Sequence, residues 1–120
     1  PCILQQCRLS MLSDKIHGEG AVSSHIGIGH TRWATHGAPS DRNSHPHNSQ
    51  SGKISVVHNG IIENYMELKA FLEEKGYRFA SETDTEVVAQ LFDFYYDGDA
   101  VGTLRRVIGK IRGAYALAIM

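Results

Sequence analysis

Three short segments carry residue types that could bind a small zwitterion or stabilise charge on an acyl group. The first segment, His30 to Gly37, holds an arginine, a tryptophan, two threonines and two histidines within eight residues. The guanidinium of Arg32 presents a planar fork of donors that matches a carboxylate, and Thr35 with the backbone around it would complete the same anion site. The residues alone leave open a second interpretation, a polar strand end with Trp33 packed in the core.

The second segment is His58-Asn59-Gly60. The side-chain amide of Asn59 and the backbone N–H of Gly60 form a pair of donors that could point at one oxygen. Acyl-transfer enzymes need such a pair where negative charge develops, and losing one donor typically costs ~10²–10³ in rate. Taken alone, the pair is more typical of an ordinary Asn-Gly turn.

The third segment runs from Ser81 to Glu86 and contains Asp84. A carboxylate at this position, near the start of a helix, could anchor a cationic ammonium group. Taken alone, the segment favours simple helix capping by Thr83 and Asp84, which needs no ligand.

Histidines and cysteines suggest two further sites, neither of which the spacing supports. All seven histidines lie between positions 17 and 58. The run His45-Pro46-His47 raises a metal hypothesis, but its spacing is a poor match to zinc patterns, so we expect no metal and no cofactor. Cys2 and Cys7 have no base or electropositive setting beside them in the sequence, and both are interpreted as incidental.

Composition narrows the class of protein. The chain has 120 residues, a formal net charge of −1, 42% hydrophobic and 21% charged residues, which is typical of one globular domain or part of one. Near-zero charge disfavours nucleic-acid and membrane partners, and no apolar run approaches the ~18–20 residues that span a bilayer. Two cysteines make no disulfide framework, which favours a cytoplasmic location.

Periodicity in the first half predicts strands separated by a long loop. Residues 25–32 resemble a strand with two close-approach glycines, and residues 33–53 a single loop of the length that is usually functional. Residues 54–58 are predicted as a second strand, ended by a turn at Asn59-Gly60.

The second half predicts three helices and two strands. Asn64 with Glu67, and Thr83 with Glu86, are capping-box candidates. They would begin one helix that stops at Gly76 and another over residues 84–96. A short strand at 77–79, a third helix over 103–112 and a last strand from Gly113 complete the pattern, which leaves α/β and α+β open.

Together, residues 29–37, 58–64 and 81–87 resemble, in their order and spacing, the isomerising glutamine–fructose-6-phosphate aminotransferases, also called glucosamine-6-phosphate synthases. The similarity covers roughly residues 25–120 and includes Arg-Gly-Ala-Tyr-Ala at 112–116. It implies an α+β fold of the N-terminal-nucleophile hydrolase type, with two stacked β-sheets between helix layers.

The resemblance implies a glutaminase that hydrolyses the side-chain amide of L-glutamine. The ammonia passes to a separate sugar-isomerase domain, which converts fructose 6-phosphate to glucosamine 6-phosphate in a parent protein expected to be a homo-oligomer. On this basis Arg32 would hold the α-carboxylate of glutamine with help from Thr35 and His36. Asp84 would hold the α-ammonium.

The same resemblance assigns the remaining site residues. Asn59 and the Gly60 N–H would form the oxyanion hole, Trp33 would belong to a mobile loop that closes over the substrate, and His45 would line the surroundings of that loop. Closing the loop would exclude water that disperses ammonia.

One departure from the family concerns the nucleophile. In the family a cysteine begins the mature chain, in a Cys-Gly-Ile-Val-Gly setting, and its own amino group serves as base. Here Pro1 precedes Cys2 and the surrounding sequence differs. We therefore expect residues 1–120 to be an internal fragment of a type 2 glutamine amidotransferase domain, inactive alone, without the nucleophile strand, the C-terminal part and the sugar-isomerase domains.

Three alternatives stay open from the sequence. One is a non-catalytic module that binds an amino acid without hydrolysing it. Another is the glutaminase domain of a different class II amidotransferase, such as amidophosphoribosyltransferase. The third is a histidine-rich metal protein.

Overall fold

A computed structural model describes residues 9–18, 24–31 and 37–120. The predictions for Arg32, Trp33, Thr35 and His36, and those for the two cysteines, lie outside the described residues. The described elements are four helices, one short 3-10 helix and three strands: α1 (Leu9–Gly18), the 3-10 helix (Asp41–Asn43), β1 (His47–Asn48), β2 (Ser55–Ile62), α2 (Tyr65–Glu74), α3 (Thr85–Tyr95), α4 (Ala100–Ile108) and β3 (Gly113–Ile119).

The three strands form one antiparallel sheet in the order β1-β2-β3. β2 is the central strand and pairs with β3 along most of its length, from Val56 opposite Ile119 to Ile62 opposite Gly113. The α+β class is confirmed by this arrangement of helices around an antiparallel sheet. Of the two sheets that the resemblance implies, the described residues form one.

Helix α3 lies at the centre of the core and contacts β1, β2, α2 and α4. Its residues from Thr85 to Phe92 are all buried, because apolar residues cover more than one side of the helix. The core that surrounds α3 is made of aliphatic side chains from the other elements, chiefly Val56, Ile62, Leu68, Leu72 and Val107. Burying one such side chain contributes about 1.5–3 kcal/mol, so α3 is held firmly against the sheet.

The two faces of the sheet differ in exposure. Successive side chains of a strand point to opposite faces, and β2 places Val56, His58 and Ile62 on the face that α3 covers. Asn59 and Ile61 alternate with them and are exposed. The site residues at 58 and 59 therefore belong to different faces of one strand.

The helix predictions agree with the structure within a few residues, except at α4. This helix begins at Ala100 rather than Thr103, because the carboxylate of Asp99 accepts the N–H groups of Val101 and Gly102, each at 3.0 Å. It ends at Ile108 rather than 112. Asp99 is a standard N-cap residue, so the sequence did contain this signal.

Both capping-box predictions are wrong. Asn64 precedes α2 but its amide donates to the Lys110 carbonyl and accepts the Arg112 N–H, at 2.9 and 2.8 Å. Glu86 accepts the N–H groups of Ala80 and Ser81 instead of returning to Thr83. In each case a longer-range backbone partner replaces the local one.

Two strand predictions also need correction. Residues 24–31 contain no strand; Gly27 and Gly29, which lower strand propensity, interrupt this stretch. Residues 77–79 are irregular, and the Tyr77 N–H closes the end of α2 by donating to the Leu72 carbonyl at 3.0 Å.

The predicted turn at Asn59-Gly60 is wrong, because β2 continues through Gly60 to Ile62. Gly60 has φ +131°, and a Cβ atom there would lie 2.1 Å from the Ala114 carbonyl oxygen. The glycine is thus required by the close approach of β3 rather than by a turn. The predicted loop over 33–53 is confirmed for residues 37–53, apart from the 3-10 helix and β1. Among the described residues, no helix is both long and apolar enough to cross a membrane.

A Gly60→Ala substitution should lower the free energy of unfolding by about 2 kcal/mol or more, because it adds backbone strain and a clash with β3. Gly27→Ala is the matched control, since a Cβ at that position meets no atom within 4 Å. Urea denaturation of both variants measures the difference. Equal stability of the two variants would show that the β2–β3 approach does not require a glycine.

Candidate functional site

Asp84 is a buried carboxylate at the junction between α3 and the sheet. Its side chain does not cap α3; instead Oδ2 accepts the Ile62 N–H of β2 at 2.8 Å. The residue is only 3% exposed, and the positive end of the α3 dipole lies beside it. The capping interpretation of Asp84 is therefore wrong, and the position suits a carboxylate that holds a cation.

Asn59 and Gly60 lie on the same stretch of β2 that Asp84 contacts. The Asp84 carboxylate accepts the Ile62 N–H and also lies 4.0 Å from His58 Nδ1. The Asn-Gly pair lies between these two residues in the strand. Both residues of the pair are exposed, in contrast to His58 and Ile62. The structure thus brings the oxyanion-hole candidates and the ammonium-site candidate to one stretch of strand, with the Asn59 side chain on the opposite face from Asp84.

Of the six histidines among the described residues, four gather beside the start of α3. The His45 ring lies 4.5 Å from that of His30 and 5.0 Å from that of His47, between centroids. His45 Nε2 and His58 Nδ1 lie 3.0 and 2.9 Å from the same Thr85 hydroxyl, and His47 Nε2 lies 3.0 Å from Thr83 Oγ1. We call the five residues that share these hydrogen bonds the histidine–threonine cluster: His45, His47, His58, Thr83 and Thr85.

Hydrogen bonds to threonine hydroxyl groups join the members of the histidine–threonine cluster. Within the described ranges, no group of three or more histidine, cysteine, aspartate or glutamate side chains could hold a metal ion. The predicted site residue His45 belongs to this cluster and is half-buried. Sequence reasoning did not identify Thr83 and Thr85 as partners of these histidines. The two threonines are two residues apart in the sequence, as are His45 and His47.

Burial lowers the pKa of the His58 imidazole. The nearby Asp84 carboxylate opposes that shift, and His30 adds to it by electrostatic repulsion. Since burial is the largest effect, the ring is neutral near pH 7. The carboxylate of Asp84 therefore faces a neutral imidazole.

A second layer of buried polar groups holds the segment that leads into Asp84. The Glu86 carboxylate accepts hydrogen bonds from Ala80 N–H at 2.7 Å and from Ser81 N–H and Oγ at 2.6 and 2.5 Å. Gln90 accepts the Gln50 N–H at 2.8 Å one turn further along α3. Sequence reasoning missed both roles, because Glu86 was assigned to a capping box with Thr83 and because no local pattern identifies Gln50 as the partner of Gln90, 40 residues away.

Asn43 ties the segment to the loop that precedes the sheet. Its amide donates to the Ala38 carbonyl at 2.9 Å and accepts the Glu82 N–H at 3.0 Å. The residue is buried, so these bonds offset the cost of removing its amide from water. Asn43 thereby attaches the loop over 37–48 to the segment that leads into α3.

Stability should decrease below pH 6.5 through His58. The folded protein keeps this ring neutral, whereas the unfolded chain binds a proton at its ordinary pKa of 6.5. The stability that the neutral ring contributes is therefore present above pH 6.5 and is lost as the pH falls towards the lowered pKa, by at most about 1.4 kcal/mol per pH unit.

Denaturant unfolding at about pH 7.5 and about pH 5.5 tests this effect. A His58→Gln variant should show a flatter pH dependence than the wild type, while a variant of the exposed His25, His25→Gln, should keep it. An unchanged slope in His58→Gln would contradict the assignment.

Comparison with known proteins identifies the family of this chain. Residues 13–120 match the family described as "Glutamine amidotransferase domain". The chain therefore belongs to the glutamine amidotransferase domain family.

Among its relatives are proteins named glutamine–fructose-6-phosphate aminotransferase [isomerizing]. The chain is 62% identical over 112 residues to the protein of Caldanaerobacter subterraneus and 56% identical over 113 residues to that of Clostridium tetani. It is 52% identical over 112 residues to that of Thermus thermophilus. These matches cover 93–94% of the chain and 18% of each relative, so the resemblance inferred from three segments is confirmed.

Solved structures show the same type of fold. The glutamine phosphoribosylpyrophosphate amidotransferase of Bacillus subtilis matches with a TM-score of 0.63 and 31% identity, covering 76% of this chain and 20% of that one. A structure described as the allosteric regulatory enzyme of purine biosynthesis matches with a TM-score of 0.59 and 30% identity over 66% of this chain and 18% of its own. The predicted N-terminal-nucleophile hydrolase type of fold is thereby confirmed.

Proposed function

We propose that this chain binds L-glutamine and supplies the oxyanion hole for hydrolysis of its side-chain amide, as part of an isomerising glutamine–fructose-6-phosphate aminotransferase. The single observation that carries the proposal is the position of the buried Asp84 carboxylate. It approaches His58 and Ile62 of β2, which lie on the two sides of the Asn59-Gly60 pair in the strand. Relatives of that name at 52–62% identity support it.

Asp84 binds the α-ammonium of glutamine in this proposal. A carboxylate with 3% exposure attracts a cation more strongly than one in water, and the neutral His58 beside it does not compete as a counter-ion. The Ile62 N–H holds the carboxylate in a single orientation. A ligand with an α-ammonium is therefore preferred over the corresponding hydroxy acid.

Asn59 and Gly60 donate to the amide oxygen as it becomes an oxyanion. Gly60 is exposed and has no side chain. At this residue only the backbone of β2 separates the sheet face next to Asp84 from the face that carries the Asn59 side chain. A substrate that lies across Gly60 can reach both faces of the strand. The close approach of β3 excludes any side chain at position 60.

The other assignments in the proposal come from the family resemblance. Arg32, Thr35 and His36 hold the α-carboxylate, Trp33 closes over the substrate, and His45 lines the closing loop. The position of His45 in the histidine–threonine cluster next to Asp84 supports its part.

The chain spans 18% of the relatives that it matches, and the remaining proposals concern the protein that carries it. Residues 1–120 form an internal part of a type 2 glutamine amidotransferase domain, and the nucleophilic cysteine lies outside them. A sugar-isomerase domain receives the ammonia and makes glucosamine 6-phosphate from fructose 6-phosphate. The whole protein is a cytoplasmic homo-oligomer.

An Asp84→Asn substitution in the protein that carries this chain should raise the KM for glutamine about 10- to 100-fold, because a charge-assisted hydrogen bond to the ammonium is lost. The asparagine oxygen can still accept the Ile62 N–H, so the fold is retained. Asp93→Asn is the control, since Asp93 lies on α3 and bonds Ser51 away from the site. An unchanged KM in Asp84→Asn would remove the ammonium role.

An Asn59→Ala substitution should lower kcat for glutamate release about 10²–10³-fold with little change in KM, because the amide acts in the transition state. Asn59 is exposed, so the substitution removes no buried side chain, and circular dichroism of the variant serves as the control for folding. A larger effect on KM than on kcat would contradict an oxyanion-hole role.

The choice of acceptor distinguishes this proposal from the amidophosphoribosyltransferase alternative. Solved proteins of that kind match at 30–31% identity, well below the relatives named for fructose 6-phosphate. Incubation with glutamine and fructose 6-phosphate is expected to yield glucosamine 6-phosphate. Amination of phosphoribosyl pyrophosphate instead would favour the alternative.

A further inference from the structure

We propose that Thr85 is a positioning residue for glutamine hydrolysis, whose hydroxyl joins His58 and His45 in one directed hydrogen-bond chain. The kinetic part of this inference rests on the proposed function. The hydrogen-bond chain itself rests only on distances, the charge of Asp84 and the number of protons available.

The Thr85 hydroxyl is fully enclosed and faces two imidazoles. Thr85 is 1% exposed and is the first residue of α3. Its Oγ1 atom lies 2.9 Å from His58 Nδ1 and 3.0 Å from His45 Nε2. A hydroxyl carries one proton, so it can donate to only one of the two rings, and the other ring must donate to it.

The Asp84 carboxylate decides the direction. Burial of the outer ring nitrogens, His58 Nε2 and His45 Nδ1, favours neither direction, because one of these two atoms carries a proton in either case. A proton on His58 Nδ1 faces the negative Asp84 Oδ2 at 4.0 Å, which stabilises that tautomer. His58 donates to Thr85, and Thr85 donates to His45 Nε2.

One oxygen atom thereby connects three segments of the site. His58 directly precedes Asn59 on β2, Thr85 directly follows Asp84, and His45 belongs to the loop before β1. Without the hydroxyl, the two rings lose the hydrogen bonds that join them. Because a misplacement of about 1 Å at a reacting group can cost ~10² in rate, the orientation of Asn59 is the property most sensitive to this loss.

Substitutions of Thr85 in the protein that carries this chain test the inference. Thr85→Val keeps the shape and removes the hydroxyl, and it should lower kcat for glutamate release about tenfold or more with KM within about twofold, since Asp84 keeps its bond to Ile62. Thr85→Ser keeps the hydroxyl and should restore most of kcat. Thr103→Val controls for removal of a buried hydroxyl elsewhere, because Thr103 bonds the Asp99 carbonyl, and it should leave kcat unchanged.

Nitrogen-15 NMR of the imidazoles supplies a readout that a merely structural role would not move. In the wild type, His58 should carry its proton on Nδ1, and His45 Nε2 should be unprotonated. Thr85→Val should shift both rings towards mixed tautomers, and Thr85→Ser should not. If Thr85→Val fails to fold, Thr85→Cys replaces it, with the same expected losses.

Two results would overturn the inference: wild-type kcat in Thr85→Val, or a His58 proton on Nε2 in the wild type. An equal loss of kcat in Thr85→Val and Thr103→Val would also overturn it, since the effect would then be general destabilisation. Failure of the proposed function looks different, because the wild type would then release no glutamate while its NMR spectrum still reported the tautomer of His58.

Discussion

The structure of this site depends on the burial of polar side chains at the start of α3 against β2. Asp84, Thr85, Glu86 and Gln90 are each nearly inaccessible to water. Burying such groups costs several kcal/mol unless hydrogen bonds replace the water that they lose. Each of the four has partners on other segments, so the lowest-energy arrangement is one in which strand, loop and helix are all in place.

The same helix provides the support for that network. Val87, Val88 and Leu91 pack into the core, so the position of α3 relative to the sheet is set by apolar contact rather than by the polar groups. The hydrogen bonds of its first turn then orient β2 and the loop over 37–48. A helix that was apolar on one side and solvated on the other would leave this loop without attachment points.

The charge distribution follows from the same burial. Burial keeps the pKa of His58 low and the ring neutral, so Asp84 remains the negative group beside this part of β2. In the proposed function, the ammonium of the substrate satisfies that carboxylate. The Asn-Gly pair lies on the same stretch of β2, where β3 leaves no space for a Cβ at Gly60. On the same proposal, a ligand that lacked the amide would leave the two donors unpaired, at a cost of about 1–3 kcal/mol.

The sequence alone determined the family and much of the local structure. Helical spacing predicted α2 and α3, Gly113 marked the start of β3, and three short segments identified the family. These features are local, and a pattern of a few residues contains them.

The tertiary structure alone decided which partner each polar side chain takes. Asn64 and Glu86 satisfy backbone groups elsewhere instead of closing capping boxes, β2 runs through Asn59-Gly60 because β3 lies beside it, and Thr85 joins histidines 27 and 40 residues away. Local capping rules describe a helix end that is surrounded by water. In a protein core, a distant backbone group or ring competes for the same side chain. The side chain pairs with the distant group when that group would otherwise be buried without a hydrogen-bond partner.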